Sequence, residues 1–163
     1  MALAAGGIQL RPITAADEPF LCALYASTRT EELAPVPWSE EQKRAFLEMQ
    51  FRAQSAHYAT HYADADFLII ELDGQPIGRL YIARWPDQIR IVDISLVPEH
   101  RGRGVGSGLL RRILDEGASS NRSVTIHVEE FNPAMRLYER LGFRPVSAYG
   151  VYHLMEWRAQ AIK

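Results

Sequence analysis

The chain has 163 residues, 47% apolar and 23% charged, which suits one soluble globular domain that can bury a core without disulfide or metal staples. A net charge of −2 supplies no basic field for nucleic acid, and no stretch approaches the roughly 18 apolar residues a membrane span needs. Cys22 is the single cysteine, so no intramolecular disulfide forms; its ordinary reading is a small side chain on an apolar helix face. Residues 1–7 carry neither a basic region nor a long apolar run, so no secretory signal is expected and a cytoplasmic location follows.

In chain order, residues 8–13 read as a strand, and Thr14 is placed to cap a helix to about residue 28 whose apolar face is Phe20, Leu21, Leu24 and Tyr25. Pro35 and Pro37 interrupt the chain, and Ser39-Glu40-Glu41-Gln42 reads as a capping box opening a long helix to about Tyr62. Near its end His57, Tyr58, His61 and Tyr62 stand at four-residue spacings, which suits either packing or a pocket for a planar or cationic acceptor. The His57 and His61 spacing is also that of metal ligands, but no third ligand and no His-Glu-x-x-His pattern accompany it, so no metal is expected.

Residues 66–72 and 76–84 alternate as strands around Asp73-Gly74, a strong hairpin signal, and residues 89–97 add a third strand after the Trp85-Pro86-Asp87 turn. A helix over 104–118, a strand over 123–128, a helix over 133–141 and two closing strands complete the order. Asn132 is expected to cap the last helix, with Pro133 at its first position. The crossover through the 104–118 helix makes strands 89–97 and 123–128 parallel neighbours.

Between the third strand and its following helix, glycines stand at 102, 104, 106 and 108. Without Cβ atoms the backbone turns sharply and lets successive N–H groups converge on an anion, and the helix start adds its own unpaired N–H groups. A phosphate or pyrophosphate is the expected guest. No Gly-Lys-Ser/Thr occurs, which rejects the P-loop, and Ser107 and Leu109 fall where the dinucleotide fingerprint needs its third glycine. What fits is Arg-x-x-Gly-x-Gly, as Arg101, Gly104 and Gly106, after Val97-Pro98. This resembles the acyl-CoA pyrophosphate signature of the GNAT superfamily of N-acetyltransferases. A second stretch, from Asn132 through Ala134 and Tyr138 to Gly142-Phe143, is similar to that superfamily's later block and follows the first motif in the same order. Together the two cover roughly residues 89–157.

The resemblance implies an α/β (α+β) fold: a mixed, mainly antiparallel central sheet of six to seven strands, flanked by about four helices, with the parallel pair splayed apart. It implies acetyl-CoA as co-substrate, with its diphosphate on the backbone of Gly102, Arg103, Gly104, Val105, Gly106 and Ser107, and positive charge from Arg101 or Arg103. Leu96 and Val97 would pair through their backbones with pantetheine, and Asn132 would contact the same arm. Tyr138 is the implied general acid. Homodimers are common in the superfamily.

For the base, magnitudes matter. At pH 7 a lysine amine is neutral in only about one molecule in 2,500, an α-amino group in about one in seven, so a base helps the first far more. In histone-directed relatives a glutamate stands eleven positions ahead of the motif arginine; here that position is Arg90, which cannot take a proton. In relatives acting on ribosomal protein N-termini a glutamate stands five positions before the motif asparagine; here that is His127, whose imidazole titrates near neutrality. His127 is the candidate, with Asp93 and Glu129 in reserve. The expected reaction is acetyl transfer to a primary amine, of a small molecule or a peptide, with neither nucleic acid nor membrane as partner. The alternative is a non-catalytic acyl-CoA-binding or sensing module.

Overall fold

A computed structural model describes residues 7–159; the stretch on which the secretory-signal reading rests lies, apart from Gly7, outside them. Seven strands form one sheet: β1 (Ile8–Pro12), β2 (Asp66–Leu72), β3 (Gln75–Arg84), β4 (Gln88–Leu96), β5 (Ser123–Glu129), β6 (Arg144–Tyr149) and β7 (Tyr152–Trp157). Their order is β1-β2-β3-β4-β5-β7-β6, antiparallel throughout except for the parallel β4–β5 pair. Helices α1 (Glu18–Ser27), α2 (Thr30–Leu33), α3 (Glu40–His61), α4 (Val105–Ser119) and α5 (Met135–Arg140) accompany the sheet. Among the described residues no helix is long and apolar enough to cross a membrane.

Three elements depart from the sequence reading. The first helix opens, after its expected cap Thr14, with a 3-10 turn at Ala15–Asp17, where the Asp17 carboxylate turns back to accept from the Thr14 N–H at 2.8 Å and from Arg11. The four-residue α2 fills part of the stretch read as a break. Asn132 and Pro133 lie ahead of α5, not at its cap and first position: the Asn132 side chain accepts from the Ala134 N–H at 2.8 Å, and Ala134 is the cap. The proline turn keeps that stretch from joining the helix, and α5 starts at Met135.

One face of the sheet is apolar. Leu109, Leu110, Ile113 and Leu114 recur on one side of α4 and pack with Leu80, Ile82, Ile89, Ile91, Val124, Ile126 and Val128. Each such side chain, fully buried, is worth roughly 1.5–3 kcal/mol. The other face receives α1 and α3 through a smaller apolar cluster of Leu21, Tyr25, Phe51 and Ile69. The rest of α3's inner stripe, Gln54, Tyr58 and Tyr62, is polar-tipped.

Two irregularities shape the middle of the sheet. The β3–β4 register shifts so that Ile91 and Asp93 oppose Ile82 and Tyr81, leaving Val92 as a bulge. Parallel pairing of β4 with β5 ends at Ile91 and Ile126, although β4 continues to Leu96 and β5 to Glu129. Beyond these last partners the strands part, and a gap opens between residues 92–96 and 127–129. At Gly78 the strands come so close that an added Cβ would lie 2.2 Å from the Ser95 carbonyl oxygen.

Candidate active site

At one end of this gap stands the glycine loop. Gly102 and Gly104 adopt φ of +72° and +85°, a region where a side chain is strained, and no atom lies within 4 Å of where their Cβ atoms would be. Gly104 caps α4, and the first intrahelical bond runs from the Gly108 N–H to the Gly104 carbonyl at 2.9 Å. The first-turn N–H groups of Val105, Gly106 and Ser107 therefore lack helical partners, and those of Gly102, Arg103 and Gly104 have no backbone acceptor among the described residues. A run of open donors facing open space, at the positive end of a 15-residue helix, fits a diphosphate.

The two loop arginines differ. Arg101 is turned back, its Nε donating to the Leu96 carbonyl at 2.9 Å and its Nη2 to the Ser27 hydroxyl at 3.1 Å, which ties the end of α1 to the end of β4. Arg103 is exposed on the loop. The Val97 N–H is committed to the Ile77 carbonyl at 2.8 Å, so by strand alternation the polar groups of Leu96 face the gap, with its carbonyl already held by Arg101.

Tyr138 of α5 is 5% exposed, within the apolar core and edge-on to Phe143. Burial, and after it the charge of Asp93, pushes its hydroxyl up to about 12. Tyr138 and Asp93 belong to opposite faces of the sheet.

The face beneath α3 carries a polar network of which the sequence reading included only Asp93 and Tyr58. Arg79 of β3, 3% exposed, pairs with the Asp93 carboxylate, donates to Gln54 at 2.8 Å and lies 4.8 Å from the Tyr81 ring centre. Tyr58 donates to Asp93 at 3.3 Å and Ser95 at 2.8 Å, so Asp93 answers to three donors. Burial and the Asp93 charge raise the Tyr58 phenol well above its ordinary value. A signal for this site was present in the pattern of β4: its apolar residues switch from odd positions, Ile89 and Ile91, to even ones, Ile94 and Leu96, as a bulge requires.

Next along this face, Arg90 donates to Thr125 at 2.8 Å and to the Tyr62 hydroxyl at 3.2 Å, and its guanidinium sits 5.2 Å over the Trp85 ring. Tyr62 and Trp85 are nearly parallel, with centroids 6.3 Å apart. The His127 Nδ1 lies 3.5 Å from Arg90, and partial burial together with that charge lowers the imidazole's pKa below its usual value. Glu129 meets Arg29 at 3.4 Å, and Arg29 also pairs with Glu32. The four ring-bearing residues at the end of α3 divide: Tyr58 and Tyr62 turn to the sheet, whereas His57 and His61 stack on each other at 4.0 Å on the exposed side. Cys22 lines a groove of about 760 Å³ between α1, α2 and α3, which contains none of the loop or gap residues; burial raises its thiol pKa.

Residues 21–143 match the Acetyltransferase (GNAT) family, and the chain belongs to that family. It is similar to mycothiol acetyltransferase of Corynebacterium glutamicum (strain R), 34% identical over 105 residues that make up 62% of this chain and 36% of that protein. It is also similar to streptothricin acetyltransferase of Streptomyces lavendulae, 32% identical over 87 residues, 49% of this chain and 46% of that protein. The chain thus spans less than half the length of either. In fold it resembles the PaiA N-acetyltransferase from Thermoplasma acidophilum, crystallised with coenzyme A, with a TM-score of 0.69 and 18% identity over 93% of this chain and 99% of that one.

Proposed function

We propose that this protein is an acetyl-CoA-dependent N-acetyltransferase that passes the acetyl group directly to a primary amine. The observation that carries the reading is the open run of N–H donors at residues 102–107, at the start of α4 and at one end of the β4–β5 gap. That loop would hold the diphosphate of acetyl-CoA, with Arg103 adding charge and Arg101 fixing the Leu96 carbonyl. The Leu96 N–H, turned to the gap, is a donor for the pantetheine arm, and Asn132 stands at the opposite lip. The co-substrate supplies an acyl thioester; the chain does the remaining work.

Tyr138 enters protonated, since burial holds its proton more firmly than in a free phenol. It donates a hydrogen bond to the departing sulfur and releases its proton as negative charge builds there. As the amine nitrogen bonds to the carbonyl carbon, the C–S bond breaks and the amine's surplus proton passes to His127. His127 suits this role because its lowered pKa leaves the imidazole neutral at pH 7. Asp93 is the weaker alternative, its oxygens already engaged by Arg79, Tyr58 and Ser95, and Glu129 is occupied with Arg29.

Calorimetry with acetyl-CoA, followed by thiol release over an amine panel, tests the reading. Micromolar binding with amine-dependent thiol release is expected. No binding at millimolar acetyl-CoA overturns it, and binding without turnover would favour a non-catalytic acyl-CoA module. The acidic limb of kcat/KM should fall below the usual imidazole range, because the active neutral form is lost only as pH drops through the lowered pKa, and His127→Ala should abolish that limb.

A further inference from the structure

Five arginines among the described residues are not exposed: Arg11, Arg29, Arg79, Arg90 and Arg122. Four of them are paired with a carboxylate, Arg11 with Asp17, Arg29 with Glu32, Arg79 with Asp93 and Arg122 with Glu116. Arg90 is the exception. Its partners are the neutral oxygens of Thr125, Tyr62 and Gln88 and the His127 ring. Glu156, opposite Thr125 on β7, is turned instead to Arg158 at 2.9 Å and 3.2 Å.

A guanidinium is always charged, and a half-buried one without a counter-charge is unfavourable unless something anionic completes it. Arg90 is also held firmly, by Thr125 below and Trp85 beside it, which fixes its remaining donors. Ile89 and Ile91 point into the apolar core, so Arg90 points to the α3 face, one residue before β4 and β5 part and next to His127.

We infer that Arg90 reads a carboxylate on the acceptor, so that the preferred amine belongs to a molecule bearing its own carboxylate, an amino acid or an acidic peptide. This rests on the acetyltransferase reading and narrows it. An acceptor carboxylate on Arg90 would supply the missing counter-charge and bring the amine beside the imidazole. The aromatic wall of Tyr62 and Trp85 would flank it.

The test pairs amino acids with their carboxamides, for example L-phenylalanine with L-phenylalaninamide and L-glutamate with L-glutamine, titrated calorimetrically into the protein with coenzyme A bound and assayed with acetyl-CoA. At least one carboxylate form is expected to bind about ten-fold or more tightly than its amide, the scale of a charge-assisted contact. Assayed above the imidazole range, where His127 is neutral with or without the neighbouring charge, Arg90→Gln should remove that preference by raising KM for the carboxylate form while leaving the amide little changed, and Arg90→Lys should restore part of it. Amide and carboxylate forms that behave alike, including both failing to bind, overturn the inference, as does a variant that weakens both equally. Coenzyme A affinity and the melting temperature of each variant keep misfolding and failure of the acetyltransferase reading apart from failure of this one. Free amino acids against short acidic peptides then separate the two sources of carboxylate.

Discussion

The two faces of the sheet are built on opposite principles although they share every strand. Under α4 and α5 lie interchangeable aliphatic side chains whose stability comes from area and packing. Under α3 lie Arg79, Asp93, Tyr58, Gln54, Arg90 and Tyr62, each of which depends on a particular partner. The apolar face should therefore degrade gradually when altered, and the polar face abruptly, because a buried charge without its partner costs more than a lost methyl group.

The sharpest break is Arg79→Ala, which strands the Asp93 carboxylate and should cost about 3–5 kcal/mol in denaturant unfolding. Replacing both members, Arg79→Met with Asp93→Leu, should recover part of that loss, the rest staying with Tyr58, Ser95 and Gln54, which lose their partners; a double variant as unstable as the single one would remove the distinction between the faces. On the apolar side Leu110→Ala should cost about 2–4 kcal/mol, scaling with the cavity left behind. Tyr138→Phe keeps the ring packing, so stability should barely change, yet kcat should fall ten-fold or more. Unchanged kcat at saturating substrate across the pH range would remove Tyr138 from the reaction. The smallest effect is expected from Asn132→Ala, about 1 kcal/mol for the lost bond to the Ala134 N–H, read from thermal unfolding.

The same contrast governs what could be read from sequence. The apolar face was legible because its evidence is periodic: Leu109, Leu110, Ile113 and Leu114 spell a helix, and Val124, Ile126 and Val128 spell a strand with His127 turned the other way. The glycine loop was legible because Gly102 and Gly104 need backbone angles that few residues tolerate. Arg79 was not. An arginine in a strand normally signals solvent, and only the diagonal register that brings it to Asp93, through Tyr81 opposite Asp93 and Ser95 opposite Arg79, explains its burial. At the helix starts Thr14 stands at its expected cap, in a capping box with Asp17, whereas the Ala134 N–H bonded to the Asn132 side chain leaves that stretch ahead of α5. Four-residue spacing grouped His57 and His61 with Tyr58 and Tyr62, but a helix has a width, and the adjacent pairs fall on either side of its line of contact.

Val92 has a consequence for how this stretch tolerates changes in length. Being one surplus residue, it sets whether each later side chain counts as odd or even. Deleting Val92 alone would close the bulge, leaving Asp93 opposite Tyr81 with Ser95 still beneath α3 and Ile94 and Leu96 still in the oily layer. Losing Val92 together with Asp93 would instead turn Ile94 and Leu96 beneath α3 and Ser95 into the oily layer, spoiling both walls at once. Loss of that surplus residue should therefore be the mildest single deletion between Ile91 and the glycine turn.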